Sequence, residues 1–293
     1  MTAPVLPSSS GVRAARRREG TGSMGARLER STATKRVLAL GAIVLLAAGF
    51  AWAAADAPQP GDDAKAILKA MSDYLGSQKT IELTFDSDIE VITPQLEKIQ
   101  FASSGEVLVS RPDKMRAHRV GGYADVAMVF DGKVVSILGK SVNGYAQFDA
   151  PGSLDQLFEA LRVGHGVALP GGDLLLSNPY DVLVADVLEA KHIGRGVVEG
   201  VECEHLAFRN GETDWQLWVE LGDAPFPRKL VITSKTMNCA PQYTMRVKSW
   251  KVGVQPAADA FTFAAPAGAQ KLSADALIDL DELPQGAPIG GKP

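Results

Sequence analysis

The sequence predicts an α+β, mainly β fold: a large curved antiparallel sheet with helices covering its concave face. Most of the chain after residue 80 alternates apolar and polar side chains at every second position, which marks half-buried strands. These segments follow one another directly, separated by Asp-Gly, Asn-Gly and Gly-Gly pairs, so sequence neighbours pair antiparallel through tight turns. Helical spacing appears only before the first strand and in one central interruption. A long run of strands must curl, and the helices then bury its apolar side.

Asp62 to Leu75 sets Ala66, Ile67, Ala70, Met71, Tyr74 and Leu75 at helical spacing, with Asp62 and Asp63 placed to cap free amides. From Thr80 to Thr93 the period becomes two, with Ile81, Leu83, Phe85, Ile89 and Val91 against Glu82, Thr84, Asp86, Asp88 and Glu90. Further strands are expected at Lys98 to Ser110, Met115 to Val120, Ala124 to Phe130, Lys133 to Leu138 and Tyr145 to Phe148. Leu154, Leu157, Phe158 and Leu161 return to helical spacing, and a second helical turn is expected around Pro179 to Val187. Strands resume near Lys191 and continue as Val201 to Arg209, Asp214 to Leu221, Arg228 to Ser234 and Tyr243 to Val252, with Asn210-Gly211 and Ala224 to Pro227 as turns. No repeat of fixed period is present.

The 293 residues are 46% apolar and 22% charged, a globular composition. The net charge of −4 joins two unlike parts: residues 1–36 hold eight Arg or Lys against Glu19 and Glu29, so that +6 there leaves −10 for the rest. An acidic body without a basic, aromatic surface excludes nucleic-acid binding. The uncharged run Val37 to Ala55 follows Lys35-Arg36 and ends in Ala51-Trp52-Ala53 and Ala53-Ala54-Ala55, the layout of an export signal with two usable cleavage sites. The alternative is an uncleaved anchor, since its 19 residues lie near the lower limit for spanning a bilayer. No cysteine stands at the junction, which excludes a bacterial lipoprotein, and Met24 offers a second start that gives a segment of ordinary length. Under either reading residues 56–293 lie outside the inner membrane. The expected organisation is thus a signal peptide over residues 1–55, one domain over 56–272 and a polar, Pro/Gly-ended tail over 273–293.

Catalytic signatures are missing. No Gly-x-Ser-x-Gly elbow, His-Glu-x-x-His pair or Walker loop occurs, and Gly194-Arg195-Gly196 with Gly200 lacks both the spacing and the βαβ setting of a dinucleotide loop. Two cysteines are too few for a disulfide scaffold or an all-thiolate metal centre. Cys203 and His205 share a strand face, but two ligands do not make a site, and Asp86, Asp88 and Glu90 belong to the solvated side of their strand. We therefore expect no enzyme, no metal and no cofactor. Strand register also argues against a Cys203–Cys239 bond: an Asn210-Gly211 turn sets Cys203 opposite Trp218, and Trp218 near Val231, eight residues before Cys239, whereas a disulfide needs Cα atoms within about 7 Å.

The segments Gly200 to Arg209, Asp214-Trp215-Gln216-Leu217-Trp218, Pro227 to Thr233, Pro241-Gln242-Tyr243 and Trp250 resemble a family of predicted periplasmic proteins, domain of unknown function 2092. Ala260 to Gly268 is similar to the last strand of the wider LolA-like group of lipoprotein carriers. The resemblance spans about Ala64 to Leu272. It implies an incomplete barrel whose hollow is closed by helices and holds acyl chains in the carriers, while other relatives act as stress sensors or lipid-binding modules. It brings no catalytic residues.

Two functions follow. One is a binding protein that holds a lipid, an acyl chain or an envelope lipoprotein in the hollow, touching the membrane only transiently or through an uncleaved signal segment. The other is an envelope sensor or scaffold working through protein contacts, with the hollow filled by its own side chains. For the first, period-two faces select Leu83, Phe85, Phe101, Val107, Met128, Phe130, Trp215, Leu217 and Ile232 as the wall, with Leu157 and Phe158 on the covering helix.

Overall fold

The computed structural model describes residues 61–164 and 169–273, all within one compact unit. The export segment, Met24 and both cleavage sites lie outside the described residues, as does the polar tail beyond Ser273.

Helix α1 (Asp62–Ser77) is followed by strands β1 (Thr80–Ile92), β2 (Lys98–Ser110), β3 (Lys114–Gly121), β4 (Asp125–Phe130), β5 (Val134–Gly139) and β6 (Gly144–Asp149). The central interruption holds α2 (Leu154–Glu159), a π-helical turn (Ala160–Gly164), a 3-10 turn (Gly172–Leu175) and α3 (Pro179–Val184). Strands β7 (Glu189–Val198), β8 (Val201–Arg209), β9 (Thr213–Glu220), β10 (Pro227–Ser234), β11 (Gln242–Val252) and the two-residue β12 (Gln270–Lys271) complete the chain.

All twelve strands form one sheet in the order β12-β6-β5-β4-β3-β2-β1-β11-β10-β9-β8-β7. β1 sits inside it, and two antiparallel runs spread outward, β2 to β6 on one side and β11 back to β7 on the other. β7 and β12 remain at opposite edges, so the sheet is open. β12 pairs with β6 in parallel.

One face of the sheet meets the helices. Residues paired across strands form rungs on it: Phe130, Met115, Val109, Ile81 and Val252 make one, and Ala146, Ile137, Met128, Ala117, Val107, Leu83 and Trp250 the next. Against this face α1 lays Ala64, Leu68, Met71 and Leu75, spaced four, three and four apart and at most 1% exposed. Each of its two buried leucines contributes about 1.5–3 kcal/mol. Phe226 stacks on Trp250 at 4.2 Å, and Tyr74 of α1 meets the edge of the same indole at 6.2 Å.

The start of α1 differs from expectation. Its N-cap is Gly61, in a left-handed conformation with no side-chain cap, and Asp62 and Asp63 stand in the first turn, where they favour the helix dipole. A Cβ on Gly61 would lie 2.4 Å from the Ala190 carbonyl oxygen, so only glycine lets the helix start against β7. α2 opens on a capping box between Ser153 and Gln156.

Two strand expectations are corrected. Asn210 N donates to Thr213 O, which makes Gly211-Glu212 the turn centre and sets Cys203 opposite Glu220, with His205 opposite Trp218. Lys229 rather than Val231 stands across from Trp218. Ala260 to Gly268 contains no strand. The chain leaves β11 beside β1, where Thr80 Oγ1 donates to Val254 O at 2.9 Å, and reaches the far margin at β6, where Phe263 packs on Tyr145 at 5.5 Å. β1 to β5 each have two partners already, so on this margin the ladder left to join is the outer side of β6, reached at Gln270.

Candidate apolar binding face

Most ion pairs of the sheet lie on its outer side, whereas Glu204 and its partners Arg195 and His192 stand in phase with Leu206 on β7 and β8. The outer side carries ion pairs such as Arg246–Asp88 at 2.7 Å, Lys98–Glu90 at 3.0 Å and Arg228–Glu220 at 2.8 Å. His205 lies there too, stacked on Trp218 at 4.0 Å with its Nε2 2.9 Å from Gln216 Oε1. Cys203 is buried and Cys239 exposed, and both are free thiols. Among the described residues no three of His, Cys, Asp and Glu stand close enough to hold a metal ion.

The nine strand residues selected from the sequence all fall on the helix-facing side. Leu83, Val107 and Met128 share one rung, Phe130 lies on another that continues to Val135 and Phe148, and Phe85 pairs with Gly105 and Val247 on a third. A further rung runs Phe101, Ile89, Tyr243, Ile232, Trp215 and Phe208 across β2, β1, β11, β10, β9 and β8. Leu217 lies on the rung between them, with Leu206, Leu230, Met245, Ser87, Ser103 and Gly121.

Burial divides this set along the strands. Phe130, Leu217 and Leu157 are sealed at 0–1% exposure, and Leu83, Phe158 and Trp215 are also buried. Phe85, Val107, Met128, Ile232 and Phe101 are half-buried. The residues nearest α1 and α2 are closed core, whereas the rung at the end where β1 turns into β2 is half-open through Phe101, Ile89, Tyr243 and Ile232. Beyond it Ile99 is 43% exposed, and Tyr123, which meets the Phe101 ring edge-on at 5.8 Å, is 54% exposed. Trp215 anchors the closed end of the rung, stacked on Phe208 at 4.0 Å with its Nε1 donating to Asn210 Oδ1.

Sequence reasoning passed over Ile89 and Tyr243, although both alternate in phase with chosen neighbours. It also passed over Ser87 and Ser103, a buried pair sharing an Oγ–Oγ hydrogen bond of 2.8 Å on the rung inside the half-open one. Two clefts open elsewhere, one of about 520 Å³ along α2 lined by Asp155, Gln156, Glu159, Ala160 and Val163, and one of about 360 Å³ between α1 and α3. Neither is lined by the selected residues.

Known proteins were compared with this arrangement. No curated protein matches the chain. An uncharacterised conserved protein from Thermus thermophilus superposes with a TM-score of 0.42 at 12% identity, over 72% of this chain and 99% of its own. LprF from Mycobacterium bovis gives 0.39 at 12% identity over 68% and 98%, and a LolA superfamily protein from Nitrosomonas europaea gives 0.32 at 12% over 66% and 94%. The family model described as predicted periplasmic protein, domain of unknown function 2092, matches residues 64–274, which include every described helix and strand except the first two residues of α1. The chain thus belongs to this family of predicted periplasmic proteins, on an open, mainly β sheet.

Proposed function

We propose that the protein is a non-catalytic periplasmic binding protein that holds a lipid or acyl chain, free or as the acylated end of a lipoprotein, against the half-open end of its helix-facing sheet. The observation that carries this reading is the graded burial of one apolar face, from sealed Phe130 and Leu217 to half-open Phe101 and Ile232. An apolar surface left partly unfilled beside a packed core favours a hydrophobic occupant, each buried methylene of which contributes about 0.8 kcal/mol. On this reading residues 1–55 deliver the chain across the inner membrane.

The scaffold alternative draws on a different place. β7 is an edge strand, and Leu188, Ile193 and Val197 in or beside it are 74%, 54% and 66% exposed, a surface suited to strand-to-strand docking of another protein.

Titrating the purified full chain with cis-parinaric acid separates the two. The lipid reading expects saturable fluorescence enhancement that falls at least tenfold in apparent affinity in Phe101→Glu, with far-UV circular dichroism unchanged. A wild-type protein that stays silent after delipidation ends the lipid reading and leaves the β7 scaffold.

A further inference from the structure

Strand directions gather the β1–β2, β3–β4, β5–β6, β8–β9 and β10–β11 turns and the entry to β7 at one end of the sheet. Leu96, Ile99, Val120, Tyr123, Val142 and Leu188 are exposed at this end, whereas among the described strands and the turns between them only Val197 is a large exposed apolar residue near the other. The β1–β2 turn is the most unusual part of it. Leu96 is 57% exposed at a φ of 65°, a left-handed conformation fixed by its N donating to Thr93 O at 2.9 Å and by Thr93 N donating to Glu97 O at 3.0 Å. Asparagine or glycine holds such a position with less strain, and a mostly exposed leucine returns little to the fold. Beside it Ile99 pairs with Val91 in phase with the Phe101–Ile89 pair, and Tyr123 meets Phe101 edge-on. The tip is thus the outer margin of the half-open face.

Three observations make a lipid bilayer the occupant that suits this tip. The exposed side chains stand on separate turns, with the β1–β2 and β3–β4 hairpins two strand spacings, or about 10 Å, apart, and with Gln95, Glu97 and Gly122 as neighbours. Scattered apolar points can enter a headgroup layer one by one, whereas a protein interface needs a continuous packed core. The chain also enters the fold here: Gly61 lies against Ala190, on the β7 side of the Phe101 rung, and Asp56 to Pro60 separate it from the apolar run ending at Ala55 by at most about 20 Å of chain. Lys98, Lys140 and Lys235 at this end are each paired, with Glu90 at 3.0 Å, Asp125 at 3.2 Å and Asp214 at 2.9 Å, so insertion rather than attraction to acidic lipid would drive contact.

We propose that the protein docks on membrane surfaces through the tip formed by Leu96, Ile99 and Tyr123, which enter the headgroup layer of a bilayer whatever its charge and turn the half-open face toward it. Tyrosine, apolar in its ring and polar at its hydroxyl, suits that depth. The docking goes beyond the lipid reading above and needs no ligand in the hollow.

The full chain labelled with the environment-sensitive fluorophore NBD at Cys239 reads the tip, because Cys239 Sγ lies 3.9 Å from the Leu96 carbonyl oxygen while Cys203 is enclosed. A chain with Cys239→Ser and Asp223→Cys carries the label in the β9–β10 turn, at the opposite end. With phosphatidylcholine vesicles containing a lipid spin-labelled near its carbonyl, the label at 239 is expected to be quenched at least about twofold and the label at 223 to be unaffected. Neither phosphatidylglycerol nor added salt is expected to change this. Leu96→Asn, which suits the turn, is expected to lose most of the quenching while folding at least as stably as wild type, and Ile99→Thr to lose part of it. A label at 239 that stays in water, even in a chain held to the vesicle by its apolar run, overturns the proposal. Equal quenching at both ends, or quenching that needs phosphatidylglycerol, overturns it too. So does a dimer in sedimentation equilibrium that Leu96→Asn dissolves, since a second copy would then cover the tip. The cis-parinaric acid titration reads the hollow alone, so either reading can fail without the other.

Discussion

Phe85 and Gly105 are cross-strand partners, and the phenyl ring lies where a side chain at 105 would stand. A Cβ there would meet Phe85 Cζ at 2.4 Å and the His118 carbonyl oxygen at 3.0 Å. Gly105→Ala is therefore expected to push Phe85 off β2 and cost about 1–3 kcal/mol, read as a lower urea midpoint at unchanged slope. Adding Phe85→Leu should return part of the loss, because the shorter side chain makes room for the methyl. A neutral Gly105→Ala variant would show that the ring moves freely.

The two thiols should behave differently. Burial pushes the Cys203 thiol up, against the opposing pull of Arg228, and the side chain is fully enclosed, while Cys239 is exposed in the β10–β11 turn. An aromatic disulfide reagent is expected to titrate one thiol in the native protein and the second only in denaturant. Cys239→Ser should leave no fast-reacting thiol. Equal rates for both would mean that β8 opens readily.

Asp131 ties the β4–β5 turn to acid. Its Oδ1 accepts from Val134 N at 2.8 Å and Lys133 N at 2.9 Å, and these amides, Val134 foremost, hold the carboxyl below its ordinary range. A depressed folded-state value means that the stabilisation is complete above the unfolded value of about 3.9 and is lost as pH falls through the folded one. Asp131→Asn is accordingly expected to unfold at lower urea than wild type at pH 7, with the gap closing below about pH 4. A gap that stays constant down to pH 2.5 would assign the difference to the turn's geometry instead.

Parity explains how much of this face was legible. The β8–β9 turn was placed one residue early, which moved Cys203 by two positions relative to β9, and a slip of two keeps every side chain on its own face. Trp215, Leu217 and Ile232 were therefore assigned to the correct side despite a wrong register. β2 and β8 match their expected bounds because turn residues flank a clean alternation. Depth was not legible: nothing in the alternation tells sealed Phe130 from half-open Phe101, since that depends on where α1 and α2 lie. The strand expected at Ala260 to Gly268 failed for a topological reason, because its path crosses strands that are already paired.

The pairing of Ile81 with Val252 joins the first strand to the last long one. A chain that emerges N-terminus first presents β1 early, yet β1 must wait for β11 before its second ladder can form. β2 through β6 can zip locally as hairpins, but the half of the sheet that α1 covers assembles backwards, from β7 toward β11, and docks on β1 last. Until then one long edge of β1 and the apolar side of the early hairpins face the periplasm, a window in which a holdase would protect the chain and after which it is dispensable. The slow step of maturation is therefore set by arrival of residues 242–252 rather than by helix formation, so a truncation before Gln242 should accumulate as an aggregation-prone half-sheet while the same chain extended past Val252 folds.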